Sequence, residues 1–248
     1  MKARDALALL SFFTALPLRS GSLEDAARGV ILLPLVGVVT GFFGAMFLLL
    51  GYALPSGVAA ALALGAILLA AGFHHADGVL DTGDALMVQG DAIRRREVLK
   101  DSRIGIGGLG ALFVVYAPAL AALVALVAAS PLRAAIALVA AEVAVRSTML
   151  LTLALGKPAD TNSSSTPFVR ALYGDRRTVA VVLALLVPTA LLALLGFPAV
   201  LAAVAVPLVA ALVLRVAGDV FGGISGDLSG AGGEATRMVV LVALTATI

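Results

Sequence analysis

Three aspartates at helical spacing stand at the end of a long apolar run. In the stretch FHHADGVLDTGDALMVQGDAIRRREVLKDSRIGIGG, Asp77, Asp81 and Asp84 fall at i, i+4 and i+7, which is one helical face. His74 extends that face by one turn. Carboxylates grouped beside a bilayer are costly unless something compensates them. Hard oxygen ligands suit Mg²⁺ or Mn²⁺, which bind through one or two carboxylates together with substrate phosphates. The spacing therefore predicts a metal site at Asp77, Asp81 and Asp84, with His74 at the substrate. The competing reading is a solvated acidic helix end. The position of the cluster, directly after Phe73 closes an apolar span, favours the metal.

A second group follows as Lys100-Asp101-Ser102-Arg103, ahead of Gly105, Gly107, Gly108 and Gly110. Backbone amides of a Gly-rich turn that opens a helix bind anions. Lys100 and Arg103 add cationic donors for phosphate oxygens, and Ser102 adds a hydroxyl. A run of three arginines, Arg94 to Arg96, reads instead as a membrane-surface anchor. The third group is GGISGDLSGA, residues 222–231, with Asp219 before it and Glu234 after it. Such glycine density suits tight backbone approach to a ligand or a neighbouring helix. Asp227 is a further ligand or base candidate there, and Glu234 reads as a cap of the last helix. Glu142 and Arg146, at i and i+4 inside an apolar run, read as a mutual ion pair. Arg146 is also a candidate phosphate contact. Asp84, Asp101 and Asp227 are the candidates for a general base. The loop GKPADTNSSSTPFVR is rich in hydroxyls, amides and turn formers. It reads as a substrate lid or as a plain surface loop.

These residues need elements to hold them. The chain is 61% hydrophobic and only 13% charged, about half the ~25% usual in soluble domains. Its mean hydropathy is +1.11. Continuous rather than alternating apolar runs exclude a β-barrel and predict an all-α polytopic membrane protein. The absence of cysteine removes disulfides, thiolate metal sites and thiol nucleophiles. A net charge of +2 without a basic stripe gives no nucleic-acid partner.

A span needs about 20 mainly apolar residues. Candidates lie at 29–52, 56–73, 108–129, 133–155, 179–196, 198–216 and, partially, 238–248, so six to seven helices cross the bilayer. The whole chain, 1–248, reads as one integral membrane domain. Residues 1–28 read as a cytoplasmic segment with a short amphipathic or re-entrant helix, because no A-x-A site follows its apolar core. Connections at residues 54–56, 130–131 and 196–198 are short. Those at 74–107, 156–178 and 217–237 are long and polar, and with the N-terminal segment they hold nearly all the Lys and Arg, including Arg19. The positive-inside rule puts them in the cytoplasm, so the active site faces it from the cell membrane. Pro34, Pro118, Pro188 and Pro207 read as tolerated kinks. Gly37, Gly41 and Gly44 suit close helix packing.

Acids at cytoplasmic helix ends suit metal-assisted phosphoryl transfer. An ion-coupled transporter, the alternative of another class, places them mid-span on broken helices. The strings FHHADGVLDTGDAL, LKDSRIGIGGLGAL and GGISGDLSGAGGEATRMVVLVAL, with SFFTALPL and GVILLPLVGVVTG before them, resemble the cobalamin-5′-phosphate synthases, or adenosylcobinamide-GDP ribazoletransferases. The resemblance covers most of the chain, in order. It implies a Mg²⁺-dependent membrane enzyme that joins adenosylcobinamide-GDP to α-ribazole or its 5′-phosphate. The products are adenosylcobalamin or its phosphate, and GMP. It assigns Asp77, Asp81 and Asp84 to the acidic motif, Lys100, Asp101 and Arg103 to the second, and Asp227 to the third. Loop 156–178 matches the family loosely. A CDP-alcohol phosphotransferase is the related alternative, but its D-G-x-x-A-R start fails where Leu80-Asp81 stands. The partners expected are these two substrates and the lipid bilayer, with a homo-oligomer left open.

Overall fold

The computed structural model describes residues 2–18, 21–160 and 163–247. Arg19, counted above among the cytoplasmic cations, and Thr161 and Asn162 of the middle loop lie outside the described residues. The helices are α1 (Ala3–Phe13), α2 (Leu23–Gly29), α3 (Leu33–Leu48), α4 (Ser56–Ala70), α5 (His74–Met87), α6 (Ala92–Val98) and α7 (Ile106–Ala129). They continue as α8 (Pro131–Leu155), α9 (Thr166–Ala171), α10 (Asp175–Ala193), α11 (Phe197–Val200), α12 (Ala205–Val216) and α13 (Gly226–Leu244).

Among the described residues, five helical stretches are long and apolar enough to cross a membrane: Leu23–Tyr52, Ile106–Ala129, Pro131–Leu155, Asp175–Ala193 and Phe197–Phe221. A sixth, α4 with α5, qualifies only as a pair bent by 91°. The protein is an all-α polytopic membrane protein. α8 is its axis: 89% of its most apolar window is buried, against at most 50% for the other four. α3 lies directly on α8. A Cβ on Gly37 would stand 2.5 Å from the Glu142 carbonyl oxygen, and one on Gly41 would stand 2.8 Å from Val139 Cα. The small-residue spacing of the first span therefore does what it predicts.

Three boundaries differ from the sequence reading. The span expected over 56–73 ends at Ala70, where Gly72 (φ 65°) and Phe73 (φ 58°) turn the chain out of the helix. The connection expected over 74–107 contains α5 and α6. The connection expected over 217–237 is mostly helix: a π-helical turn covers Ala217–Phe221, and α13 begins at Gly226. Thus the stretch expected as a partial span over 238–248 is the second half of α13 up to Leu244 and a 3-10 turn at Thr245–Thr247, with Ile248 outside the described residues. Glu234 and Arg237 disguised this helix in the sequence, because charges inside a span lower its hydropathy.

Two links bring distant segments to the acidic helix. The amide of Ala15 donates to the Ala70 carbonyl at 2.8 Å, which ties the end of α1 to the end of α4. The loop after α8 is pinned to the turn before α13: Ile224 N–H donates to Lys157 O at 2.7 Å and Ala159 N–H donates to Ile224 O at 3.1 Å. Gly223 makes that possible. Its φ is +156°, and a Cβ there would lie 2.6 Å from Ala159 backbone atoms.

Candidate active site

α5 is continuous from His74 to Met87, so Asp77, Asp81 and Asp84 do share a helix. α5 packs tightly on α13: a Cβ on Gly78 would meet the Asp227 carbonyl oxygen at 2.8 Å. That contact sets Asp227, in the first turn of α13, beside the acidic face. The charges acting on Asp81 are the like charges of Asp77, Asp227 and Asp84. Ser225 caps α13, its Oγ accepting from Leu228 N–H at 3.2 Å.

Asp84 has a specific assignment of its own. Its Oδ2 accepts from Gly105 N–H at 2.7 Å and its Oδ1 from Gly108 N–H at 2.8 Å. The Gly-rich start of α7 is an anion site, as its sequence predicts. The anion it holds is Asp84 of the same chain rather than a phosphate. Each Asp84 oxygen keeps one further lone pair.

The second motif divides. Arg103 is 87% exposed and clasps Asp101, with Nη2 to Oδ2 at 2.6 Å. That guanidinium holds the Asp101 carboxyl down at about 2. Ser102 is exposed. Lys100 faces Asp160 at 3.5 Å. Of these four residues, only Lys100 reaches a cavity wall.

Two cavities meet here. The larger, about 470 Å³, is lined by His74, His75, Asp77 and Asp227 together with Phe12, Phe13 and Phe168. The smaller, about 280 Å³, is bounded by Arg96, Lys100, Asp160 and Ser163. Ser164 and Asp227 line both. Arg96, read from sequence as part of an anchor, instead donates from Nη1 to Phe221 O at 2.6 Å and walls the smaller cavity. The loop 156–178 supplies Ser164, Ser165 and Phe168 to the larger cavity.

Beneath the larger cavity lies a buried polar network that the sequence reading paired wrongly. Glu142 does not bind Arg146. It accepts from Arg237 of α13, and Glu234 accepts from the same guanidinium. Glu142 also accepts from Thr40 Oγ1 at 2.9 Å, and Glu234 from Tyr116 Oη at 2.8 Å. Glu234 is therefore no helix cap; it sits fully buried in the middle of α13. Arg146 instead donates from Nη1 to a ring nitrogen of His75 at 2.8 Å. Its Nε and Nη2 have no partner among the described residues. Arg146 is wholly buried and lies behind His75 and Met149, which do line the cavity. His75, which the sequence reading passed over for His74, is the link between network and cavity. Helical spacing favoured His74, which continues the aspartate face one turn back, and His75 lies off that face.

Among the described residues, no three Asp, Glu or His side chains converge closely enough to enclose an ion by themselves. Mg²⁺ does not require that, since it commonly takes one or two carboxylates and completes its shell with water and phosphate. The mutually repelling carboxylates of Asp77, Asp81 and Asp227 fit such a hard cation.

The family described as cobalamin-5-phosphate synthase matches residues 5–245. A protein of Xanthobacter autotrophicus named adenosylcobinamide-GDP ribazoletransferase is 36% identical over 251 residues, covering 97% of this chain and 95% of its own. One of Azorhizobium caulinodans with the same name is 35% identical over 241 residues, covering 92% and 89%. One of Saccharolobus islandicus (strain L.S.2.15) is 42% identical over 116 residues, but that match spans only 46% of each chain, just under half of the relative's length. No solved structure matches. With nearly its whole length matched, from the buried Asp5 of α1 to the end of α13, this chain belongs to the cobalamin-5-phosphate synthase family.

Proposed function

We propose that the chain transfers the adenosylcobinamide phosphoryl group from adenosylcobinamide-GDP to α-ribazole or its 5′-phosphate, releasing GMP. The observation that carries this reading is the position of Asp227 and Ser164 between two cavities of different chemistry. The smaller cavity offers Arg96 and Lys100, cations suited to the diphosphate of the donor. The larger offers carboxylates, an imidazole and aromatic rings, suited to a nucleoside acceptor. The reacting phosphorus then sits at the shared wall.

Asp77 and Asp81 would hold Mg²⁺ against the diphosphate, with the remaining lone pairs of Asp84 behind them. Bound there, the ion neutralises charge on the phosphate oxygens. Asp84 primarily fixes α5 to α7 and so sets the angle of the acidic face. Asp227 is the general base. It takes the proton from the acceptor's ribose hydroxyl as that oxygen bonds to phosphorus and the bond to GMP breaks. Asp101, held by Arg103 and a very weak base, is a poor alternative. His74 orients the acceptor at the cavity rim. Arg146 supports it from below through His75. Arg103 and Ser102, at the exposed lip, meet donor phosphate only on its approach. The connections between α5 and α7 and between α8 and α10, rich in Lys and Arg, face the cytoplasm from the cell membrane, whereas Arg237, counted with them from sequence, is buried in α13.

The test is an assay of purified protein in lipid with adenosylcobinamide-GDP, α-ribazole and Mg²⁺. One GMP should appear for each cobalamin formed, and chelation of Mg²⁺ should stop both. Release of GMP without a cobalamin product would refute the reading.

A further inference from the structure

The larger cavity is lined by two unlike sets of side chains. The polar set includes His74, Asp77 and Asp227. Lining the same cavity, Phe12 and Phe13 from α1 and Phe168 from α9 form a triangle of rings, with centroids 5.0, 5.1 and 5.6 Å apart, and Phe13 also packs 6.3 Å from the His75 ring. Met149 and Leu153 of α8 extend the apolar set. The three rings come from segments some 150 residues apart in the chain, brought together by the ties at Ala15 and Ala159. Phe13 and Phe168 are buried, at 7% and 2% exposure, whereas Phe12 remains 40% exposed. A half-exposed ring, backed by two packed ones in a cavity that also holds Asp77 and Asp227, fits a flat ligand with one apolar and one hydroxyl-bearing end.

We infer that Phe12, Phe13 and Phe168 form the subsite for the planar base of the acceptor nucleoside, with Phe12 as the face against which that base stacks. The inference rests on the transferase reading above and adds which end of which substrate lies there. Offset or edge-on stacking on a phenyl ring suits a bicyclic aromatic base. The three rings themselves offer no hydrogen bond, so they read the base by shape and apolarity, while the hydroxyls of Ser164, Ser165 and Ser229 line the same cavity. Bases that differ only in polar substituents are then separated weakly, because an apolar wall rejects an added polar group by only about 10²-fold. With the base against Phe12, the ribose points across the cavity toward Asp77 and Asp227. That places the acceptor hydroxyl on the Asp227 side, where the smaller cavity begins.

The test uses full-length protein in lipid nanodiscs with Phe12→Ala and Phe12→Tyr. Phe12 is chosen over the buried Phe168 because its truncation leaves the packed core intact. Phe12→Ala should raise KM for α-ribazole by roughly 10-fold and leave KM for adenosylcobinamide-GDP unchanged, and Phe12→Tyr, which keeps the ring, should stay near wild type. Equal acceptor KM in wild type and Phe12→Ala, or a raised donor KM instead, would overturn the subsite. Equilibrium binding of α-ribazole is measured in parallel. The protein has no tryptophan, so the fluorescence of the base is read without an indole background. If wild type binds α-ribazole and Phe12→Ala does not, the subsite stands even where the transfer reaction fails, and the functional reading alone falls. If wild type does not bind it, the subsite falls. Lipid acyl chain co-purifying with wild type and not displaced by α-ribazole would also count against it.

Discussion

Asp84 accepts the backbone N–H of Gly108 at 2.8 Å, across 24 residues of sequence. Together with the bond from Gly105 it closes the N-terminus of α7 with a side chain from α5. Asp84→Ala should therefore destabilise the protein by about 1–3 kcal/mol, because two amides lose a charged acceptor. Asp81→Asn, which removes one of four mutually repelling carboxylates, should leave the protein at least as stable while abolishing turnover. Thermal unfolding of detergent-solubilised protein, run beside the transfer assay, separates the two. Equal melting of wild type and Asp84→Ala would show that Asp84 is not the clasp described here.

The buried guanidinium of Arg237 serves two carboxylates, Glu142 and Glu234. Removing it leaves two buried acids with Arg146 as the one remaining buried cation among the described residues near them. Arg237→Ala should cost about 3–5 kcal/mol. The double change Glu142→Gln with Glu234→Gln, with Arg237 kept, should also destabilise, since it strands the cation. Changing all three to apolar residues of similar volume should not recover the loss, because it strands the buried Arg146 without a counter-charge. Additive losses across the series would contradict a coupled network.

Much of this was legible in the sequence, and the limit is a physical one. The acidic face of α5 rests on spacing within one helix, and spacing is local. The short hairpins and the glycine stripe on α3 are local too. The partner of Glu142 is not, since Arg237 lies 95 positions on. Local spacing offered Arg146 instead, one turn away and the wrong choice. The Gly105–Gly108 turn was correctly readable as an anion site, but that its anion is Asp84 depends on how α5 packs on α7. Phe12 lies in the string SFFTALPL and Phe168 in the middle loop, but their meeting was not readable, because an aromatic cluster built from separate segments has no sequence period.

Asp101 offers a pH test. Its carboxyl is held at about 2 by Arg103, below the ordinary 3.8. A depressed acid contributes stability that is present above 3.8 and is lost as pH falls toward 2. Between pH 5 and 8 it stays ionised and contributes no slope. Asp101→Asn should thus leave the shape of the kcat/KM profile unchanged across pH 5–8. A lost limb in that variant would make Asp101 the base in place of Asp227.

Ser164 lines both cavities in the loop that should face the cytoplasm. In this cysteine-free chain, Ser164→Cys should react with an impermeant thiol reagent in inverted vesicles and not in intact cells. Bound substrate should slow the reaction. Labelling from outside intact cells would reverse the topology.

The central claim is that phosphoryl transfer happens at Asp227, where the two cavities meet. The most direct measurement is single-turnover release of GMP by Asp227→Asn at saturating adenosylcobinamide-GDP, α-ribazole and Mg²⁺. Loss of the general base should slow the chemical step by roughly 10²–10⁴-fold while both substrates still bind and the melting temperature holds. A single-turnover rate equal to that of wild type would contradict the account.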